Sequence, residues 1–230
     1  MLEQLKKSVC RANVELQKQN LVIYSFGNVS GIDRRKGIVA IKPSGVDYNK
    51  LTPDKIVLLD LQGNVLEGKL RPSSDTPSHL ELYRSFSDIG GICHTHSTFA
   101  TMWAQAKREI PSLGTTAADY FYGAVPVTDC LTDSQIKNDY ELNTGRIIVK
   151  RFKNIDPLEM PACLVACHGP FTWGQSPEKA VENAVILETI AKLAFGTCAL
   201  NLKIKSIGKV LLDKHFFRKH GKNAYYGQKE

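Results

Sequence analysis

Hydrophobic residues recur at helical spacing in several parts of the chain. Leu2, Leu5, Val9, Ala12 and Leu16 follow the three- and four-residue steps of an α-helix, which predicts an amphipathic helix over residues 2–18. Proline or a small polar residue just before an apolar pattern marks further helix starts. These signals predict helices that begin at Thr76-Pro77, at Ser97 or Thr98 and at Ser176, the last running to about residue 200, and a final helix over residues 207–220.

Short apolar runs separated by Gly, Asn and Asp predict β-strands between the helices. These runs cover residues 21–24, 38–42, 56–60, 64–67, 91–96, 146–149 and 162–167. The stretch DLQGNVLEG predicts a hairpin turn between two of them. Strands in the middle of a chain that also carries helices before, between and after them indicate a layered α/β domain. We expect one such domain over residues 1–230.

The composition is typical of a soluble globular protein, with 43% hydrophobic and 23% charged residues. No apolar run approaches the ~18 residues that cross a bilayer, and the N-terminus lacks a basic-then-apolar signal pattern. We therefore expect a cytoplasmic protein with no membrane partner. The six cysteines form no C-x-x-C pair, which predicts reduced and mostly buried thiols.

Positive charge is concentrated near the C-terminus. The net charge is +7, and residues 203–222 contain seven basic residues against the single acidic Asp213. Such a segment can steer an anionic substrate or contact nucleic acid, and it can equally be the solvated face of a helix. Because no RNP, helix-turn-helix or zinc-finger pattern accompanies it, we expect no nucleic-acid partner.

Three histidines are predicted to lie at strand ends. In GGICHTHST, a strand over residues 91–96 would place His94 and His96 on one face, ~6.6 Å apart along the strand. His168 ends the apolar run CLVACH before Gly169-Pro170. Three imidazoles in such positions are typical of a catalytic zinc-type site. The alternative is that these are strand histidines bonded only to neighbouring protein groups.

The composition of three short polar loops predicts anion binding. Ser and Gly residues beside a lysine or a helix start can surround a phosphate group. The alternative for RPSSDTP is ordinary helix capping by Ser74 or Asp75, although Asp75 could also add a carboxylate to a metal site. The loops FGNVSG, IKPSGVD and RPSSDTP supply Gly27, Asn28, Lys42, Ser44, Gly45, Ser73 and Ser74 as candidate ligand contacts.

Together these motifs resemble a known family. The stretches FGNVSGID, IKPSGV, RPSSDTPSHLELY, GGICHTHST, LGTTAADYF, YELNTG, HGPFTWG and DKH…RKHG…AYYGQ, in this order, are similar to the L-ribulose-5-phosphate 4-epimerases of the class II aldolase/epimerase/adducin family. The resemblance implies a central, mainly antiparallel β-sheet flanked by helices, in place of a parallel sheet. It also implies a homotetramer with active sites between neighbouring subunits.

The resemblance assigns roles to individual residues. It implies that Asp75, His94, His96 and His168 hold Zn²⁺, or another divalent ion such as Mn²⁺ or Co²⁺. It implies that Asp119 and Tyr226 act as proton donor and acceptor, and that His215, Thr115 and Glu141 are supporting polar residues. The seven loop residues, with Thr115, become the contacts of a small sugar phosphate. Tyr226 is expected to act in a neighbour's site, with Asp119 on a different chain or meeting it across the interface.

The implied reaction inverts C4 of L-ribulose 5-phosphate, giving D-xylulose 5-phosphate, by breaking and re-forming the C3–C4 bond. The resemblance does not separate arabinose from ascorbate breakdown as the source of this substrate. A rival interpretation is an aldolase of the L-fuculose-1-phosphate type, which resembles this chain but has glutamate where Asp75 stands. A second rival is a non-catalytic, adducin-like interaction module, in which loss of the histidines would be expected.

Overall fold

The computed structural model describes residues 2–221 and 224–227 and has a seven-stranded sheet at its centre. The strand order is β4-β3-β2-β1-β5-β7-β6, and every neighbouring pair is antiparallel. The mainly antiparallel sheet implied by the resemblance is therefore confirmed. The strands are β1 (Asn28–Asp33), β2 (Ile38–Ile41), β3 (Val57–Asp60), β4 (Val65–Glu67), β5 (Gly91–His94), β6 (Ala162–Leu164) and β7 (Pro170–Gly174).

Helices flank this sheet, and the two longest pack on its central strands. The helices are α1 (Leu2–Lys18), α2 (Thr76–Ser85), α3 (Thr98–Gln105), α4 (Thr115–Ala118), α5 (Asp133–Lys137), α6 (Tyr140–Arg151), α7 (Pro177–Leu200) and α8 (Lys209–Lys219). Helix α1 packs on β1, while α7 packs on β1, β5 and β7. The predicted helices at residues 2–18, 76, 98, 176–200 and 207–220 are confirmed, with ends shifted by a few residues.

Close packing of α1 and α7 on the sheet depends on Gly31 in β1. A Cβ atom at Gly31 would lie 2.7 Å from Cγ of Pro177 and 3.0 Å from Cγ2 of Val9. Both distances are too short for an ordinary contact, so only glycine lets the two helices approach the strand together. This approach anchors the strand that also carries Asn28 at its start.

Helix α7 is long and apolar enough, by length and composition, to cross a membrane. The sequence has no uninterrupted apolar run there, because Glu188 and Lys192 lie within the helix. Its buried residues include Ala180, Leu187 and Ala191, which face the hydrophobic core. A helix that packs on a sheet can be equally long and apolar, so length and composition alone do not distinguish it from a membrane span.

Two predicted strands are wrong. Residues 21–24 form no strand, and residues 146–149 lie inside α6. The run Ile147-Ile148-Val149 favours a strand by its β-branched side chains. In the structure, Asn143, Thr144, Ile147 and Ile148 are buried at helical spacing. Packing of this helical face against α2 overrides the local preference.

The strand predicted over residues 162–167 ends at Leu164. Beyond it the chain turns, and Cys167 takes a left-handed conformation with φ of 61°. Cys163 and Cys167 therefore do not share a strand. Strands β1 and β7 were not predicted, since Gly31 and Pro170 in their sequences indicate turns.

Candidate metal and phosphate site

The end of β5 and the turn between β6 and β7 bring three histidines together. His94 is the last residue of β5 and pairs with Phe171 of β7, and His168 lies in the preceding turn. The ligand nitrogens of His94, His96 and His168 lie within 4.8 Å of one another. The predicted geometry was wrong in one respect: β5 ends at His94, so His96 reaches the cluster from the following loop.

The donor set of this cluster fits a divalent ion. Nε2 of His94 and Nε2 of His96 are 3.2 Å apart, and two imidazoles on one tetrahedral zinc ion place their nitrogens about 3.3 Å apart. Nδ1 of His94 lies 3.0 Å from the carbonyl oxygen of Pro170, so it donates its proton there and leaves Nε2 free to accept. The alternative of ordinary strand histidines explains this contact but not the convergence of three rings.

Two of the three rings, His96 and His168, are held in the neutral form. Burial lowers the pKa of His168 to about 3, with a further contribution from His94 and His96. Burial also lowers the pKa of His96, again aided by His94. Neutral imidazole is the form that binds a metal ion, so no proton has to leave these two rings near neutral pH.

A pocket of about 370 Å³ opens beside the histidines. It contains every predicted metal and substrate residue except Thr115, which is exposed at the start of α4. Three further residues line the pocket but were not predicted: Ser25, Phe26 and Pro43. Phe26 and Pro43 have no charged or ligating side chain, and Ser25 lies just before the motif FGNVSG. The lining residues are Ser25, Phe26, Gly27, Asn28, Lys42, Pro43, Ser44, Gly45, Ser73, Ser74, Asp75, His94, His96 and His168.

Backbone hydrogen bonds hold the two serine loops side by side. The N–H of Ser44 donates to the carbonyl of Arg71 at 2.9 Å, and the N–H of Ser73 donates to the carbonyl of Lys42 at 3.0 Å. These two N–H groups are therefore not available to an anion. The side-chain hydroxyls of these loops and the ammonium of Lys42 can still donate hydrogen bonds to an anion.

Gly27 lets the first loop pass close to His94. Its φ is +81°, and a Cβ there would lie 2.9 Å from Cγ1 of Val22 and 3.0 Å from the carbonyl oxygen of His94. The hydroxyl of Tyr48 fixes the same loop, at 2.8 Å from the carbonyl oxygens of Phe26 and Gly27. Glycine is thus required both by conformation and by space.

Lys42 carries a positive charge into the pocket from a buried position. Only 2% of its surface is exposed, and its Nζ donates to the carbonyl of Ser25 at 3.2 Å and lies 4.8 Å from the ring centre of Tyr48. Burial lowers the pKa of Lys42, although Asp47 and Asp75 act in the opposite direction. Within residues 2–221 and 224–227, no carboxylate forms a salt bridge with it.

Asp75 lies between the serine loop and the histidines. Its Oδ2 accepts from Nδ2 of Asn28 at 2.6 Å, and it makes no side-chain cap on α2, so the capping alternative fails for this residue. Burial opposes its ionisation, but His94, His79 and the Asn28 amide outweigh burial and lower its pKa. Asp75 falls outside the set of converging ligand atoms. Its role as a metal ligand stays a prediction.

A second cluster gathers the predicted catalytic residues. Asp119 follows α4 and forms a bidentate ion pair with Arg218. Nε of Arg218 donates to Oδ1 at 3.0 Å, and Nη2 donates to Oδ2 at 2.8 Å. Nδ1 of His215 is 3.0 Å from the same carboxylate. Burial raises the pKa of Asp119, but Arg218 and His215 outweigh burial and lower it overall. Asp119 is therefore held as a carboxylate, which can accept a proton but has none to donate.

Tyr226 joins this cluster through Arg218 and Lys219. Its ring centre lies 4.7 Å from the guanidinium carbon of Arg218 and 4.5 Å from Nζ of Lys219. Arg218 and Lys219 thus link Asp119 and Tyr226 within one chain. The expectation that the two residues come from different chains or meet across an interface stays a prediction. No described residue of this cluster lines the histidine pocket.

The basic C-terminal segment is partly explained by this cluster. Arg218 and Lys219 pair with Asp119, and Lys209 pairs with Asp213. The sequence did not indicate Arg218 and Lys219 as partners of Asp119, because they lie about a hundred positions away in the chain. Lys222, which the sequence included in the basic segment, lies outside the described residues.

His79 and Glu141 have structural surroundings. His79 is fully buried, and its Nδ1 lies 2.7 Å from Oγ of Ser30. The backbone carbonyl of Glu141 accepts a hydrogen bond from Ser78, which ties α6 to α2. Neither side chain lines the histidine pocket, so neither contacts a ligand there.

A sequence profile of the Class II Aldolase and Adducin N-terminal domain matches residues 7–195. The match spans most of the chain. The chain belongs to the class II aldolase/adducin family. Its seven-stranded antiparallel sheet and flanking helices are the class II aldolase fold.

Solved structures agree with this membership. An L-fuculose 1-phosphate aldolase is 26% identical, with a TM-score of 0.78 over 92% of this chain and 94% of the other. YgbL from Klebsiella pneumoniae is 23% identical, with a TM-score of 0.74 over 93% and 98%. An L-fuculose-1-phosphate aldolase from Thermus thermophilus is 24% identical, with a TM-score of 0.67 over 89% and 100%. The last two likenesses concern the fold alone.

Gly169 is a position at which this class II aldolase family member should tolerate no side chain. A Cβ there would lie 2.8 Å from the carbonyl oxygen of Thr95 and 3.3 Å from Cδ2 of His96. We expect Gly169→Ala to displace the His96 ring and to weaken metal binding by about tenfold or more, the lower end of what disturbed ligand orientation costs. Competition with a chromogenic chelator measures this affinity.

Gly114→Ala is the matched control, since its added Cβ would have no neighbour within 4 Å. Its metal affinity should equal that of the wild type. Equal metal affinities of the wild type, Gly169→Ala and Gly114→Ala would contradict the steric argument.

Proposed function

We propose that this protein is a metal-dependent L-ribulose-5-phosphate 4-epimerase. The observation that carries the proposal is one pocket in which three converging imidazoles lie beside serine loops, a buried lysine and an aspartate. This combination suits a substrate with vicinal oxygens at one end and a phosphate at the other. Family membership supports an enzyme of the aldolase/epimerase type.

Inversion at C4 explains why the pocket needs both the histidines and the serine loops with Lys42. The C4 hydrogen of a ketopentose phosphate is not acidic, so inversion requires the C3–C4 bond to break and re-form on the other face. A Zn²⁺, Mn²⁺ or Co²⁺ ion held by the three histidines, with Asp75, would supply Lewis-acid polarisation of the sugar oxygens. Lys42, Ser44, Ser73 and Ser74 would bind the phosphate, which keeps the two-carbon fragment in place while it rotates.

Proton transfer at the C4 oxygen falls to the second cluster. This oxygen loses a proton on one face and gains one on the other, which requires two acid/base groups. In the proposal, the Asp119 carboxylate accepts one proton and the Tyr226 hydroxyl supplies the other. Because neither residue lines the histidine pocket of its own chain, both would act in the pocket of a neighbouring chain of a homotetramer. His215 and Arg218 would hold the Asp119 carboxylate.

An aldolase of the L-fuculose-1-phosphate type is the second candidate. It is favoured by the likeness to an L-fuculose 1-phosphate aldolase, at 26% identity over 92% of this chain. The distinguishing residue is Asp75, whose short side chain is bonded to Asn28 and faces the histidines. A longer glutamate can act as an acid or base on substrate, whereas an aspartate here is better placed for the metal. The filled histidine positions argue against an adducin-like, non-catalytic role.

Incubation with L-ribulose 5-phosphate in the presence of Zn²⁺, Mn²⁺ or Co²⁺ tests the proposal. We expect D-xylulose 5-phosphate to accumulate, with glycolaldehyde phosphate only in traces, as separated by chromatography. L-fuculose 1-phosphate is the parallel substrate. Steady release of glycolaldehyde phosphate, or faster cleavage of L-fuculose 1-phosphate, would establish the aldolase instead. A protein that binds no metal and is inactive on both would refute the enzymatic interpretation.

A further inference from the structure

His168 has a hydrogen-bond partner that the sequence did not indicate. The hydroxyl oxygen of Tyr140 lies 3.3 Å from Nδ1 of His168, and the two ring centres are 6.0 Å apart. Tyr140 is partly buried at the first position of α6. Burial, with Asp75 and Glu141, raises the pKa of Tyr140, so its hydroxyl is neutral and can accept a hydrogen bond.

The position of Tyr140 is fixed by the start of α6. Asp139 takes a left-handed conformation with φ of 54°, which turns the chain into the helix. The Asn143 amide then donates to the carbonyls of Asn138 and Gln135, at 2.7 and 3.1 Å. These contacts leave the first turn of α6 little freedom to move Tyr140 away from His168.

Helix α6 also lies unusually close to α2. A Cβ at Gly145 would lie 2.8 Å from Cβ of Glu81 and 3.0 Å from the carbonyl oxygen of Ser78. Glycine permits this approach. The helix that carries Tyr140 is therefore packed directly on the helix that begins beside Asp75.

His94 and His168 each have an oxygen atom within hydrogen-bond distance of Nδ1. Nδ1 of His94 donates to the Pro170 carbonyl, which leaves Nε2 to face His96. If Nδ1 of His168 donates to Tyr140, the proton is on Nδ1 and the Nε2 lone pair is available. The opposite arrangement, with Tyr140 donating, would leave the proton on Nε2 and block it from a metal ion.

We propose that Tyr140 is a positioning residue that orients the His168 ring and selects its Nδ1–H tautomer for metal binding. This role rests on the proposed metal-dependent function, since it matters only if the histidines hold an ion. It adds α6 to the elements that determine metal affinity.

Tyr140→Phe tests the proposal, because phenylalanine keeps the ring and removes only the hydroxyl. We expect zinc affinity, measured by competition with a chelator, to fall about 10- to 100-fold, as is typical when an outer hydrogen-bond partner of a metal-binding histidine is removed. Long-range ¹⁵N–¹H correlation spectra of the metal-free protein should show the Nδ1–H tautomer of His168 in the wild type and a shift towards Nε2–H in the variant. A loss of packing alone would not change this tautomer.

Tyr122→Phe is the matched control. It also removes a hydrogen-bonded hydroxyl, which donates to Asp213 at 2.6 Å on α8. Its zinc affinity and His168 tautomer should equal those of the wild type. Unchanged affinity in Tyr140→Phe, or equal losses in both variants, would overturn the role of Tyr140 and leave the proposed function intact. A wild type that binds no zinc would instead remove the proposed function itself.

Discussion

Tyr226→Phe is expected to lower epimerisation of L-ribulose 5-phosphate by about 10²- to 10⁴-fold, the usual contribution of a general acid or base. Phenylalanine keeps the ring that lies over Arg218 and Lys219 but removes the transferable proton. Metal content and circular dichroism should be unchanged, because the side chain is 60% exposed and does not line the histidine pocket. Turnover close to that of the wild type would exclude a proton-transfer role.

Mixing Tyr226→Phe chains with His96→Asn chains tests whether the two clusters act across subunits. Random assortment at equal ratio would give about a quarter of the sites an intact histidine pocket and an intact Tyr226 cluster from a neighbour. We expect about that fraction of wild-type activity after denaturation and joint refolding, with subunit exchange verified by mass spectrometry.

The control for this mixture replaces the second parent with the Tyr226→Phe/His96→Asn double variant, which can complete no site. It should remain inactive. If the test mixture is as inactive as the control, Asp119 and Tyr226 do not serve a neighbour's pocket.

His96→Asn is expected to cause a loss of metal affinity greater than the 10- to 100-fold typical of an outer hydrogen-bond partner. It leaves two imidazoles where three now lie within 4.8 Å, and a site with fewer ligands holds an ion less well. Activity should fall in parallel with metal occupancy, as measured by mass spectrometry of the dialysed protein, and should be partly restored by excess metal.

His215→Asn separates metal binding from proton transfer. This histidine contacts Asp119 and lies outside the metal cluster. The variant should retain the metal content of the wild type while losing activity. Full metal occupancy in His96→Asn would refute the assignment of that residue to the ion.

Much of the pocket could be predicted because its residues are encoded in short motifs. Gly27, Lys42 and Asp75 each lie in a loop whose composition alone indicates a tight turn or an anion contact. The histidine spacing likewise indicated a cluster, although the argument from a shared strand face was incorrect for His96. Local chemistry was sufficient to find these residues, and the antiparallel sheet placed their loops together.

The interactions that orient the site could not be predicted in this way. Tyr140 contacts His168 only because α6 packs on α2, and the sequence of α6 favoured a strand at Ile147-Ile148. Likewise, Arg218 reaches Asp119 only after α8 packs against α4. Such contacts depend on how distant elements pack, for which neither propensity nor spacing carries a signal.

The buried ammonium of Lys42 has a consequence for selectivity. Removing a cation from water costs several kcal/mol unless a countercharge replaces the lost hydration, and among the described residues Lys42 contacts a carbonyl oxygen and an aromatic ring rather than a carboxylate. Asp47 and Asp75 act on this ammonium only through space. A phosphate bound beside Lys42 would add a direct countercharge, which an uncharged analogue of the same shape would not supply. We therefore expect the charge of a ligand, in addition to its shape, to determine its affinity for this pocket.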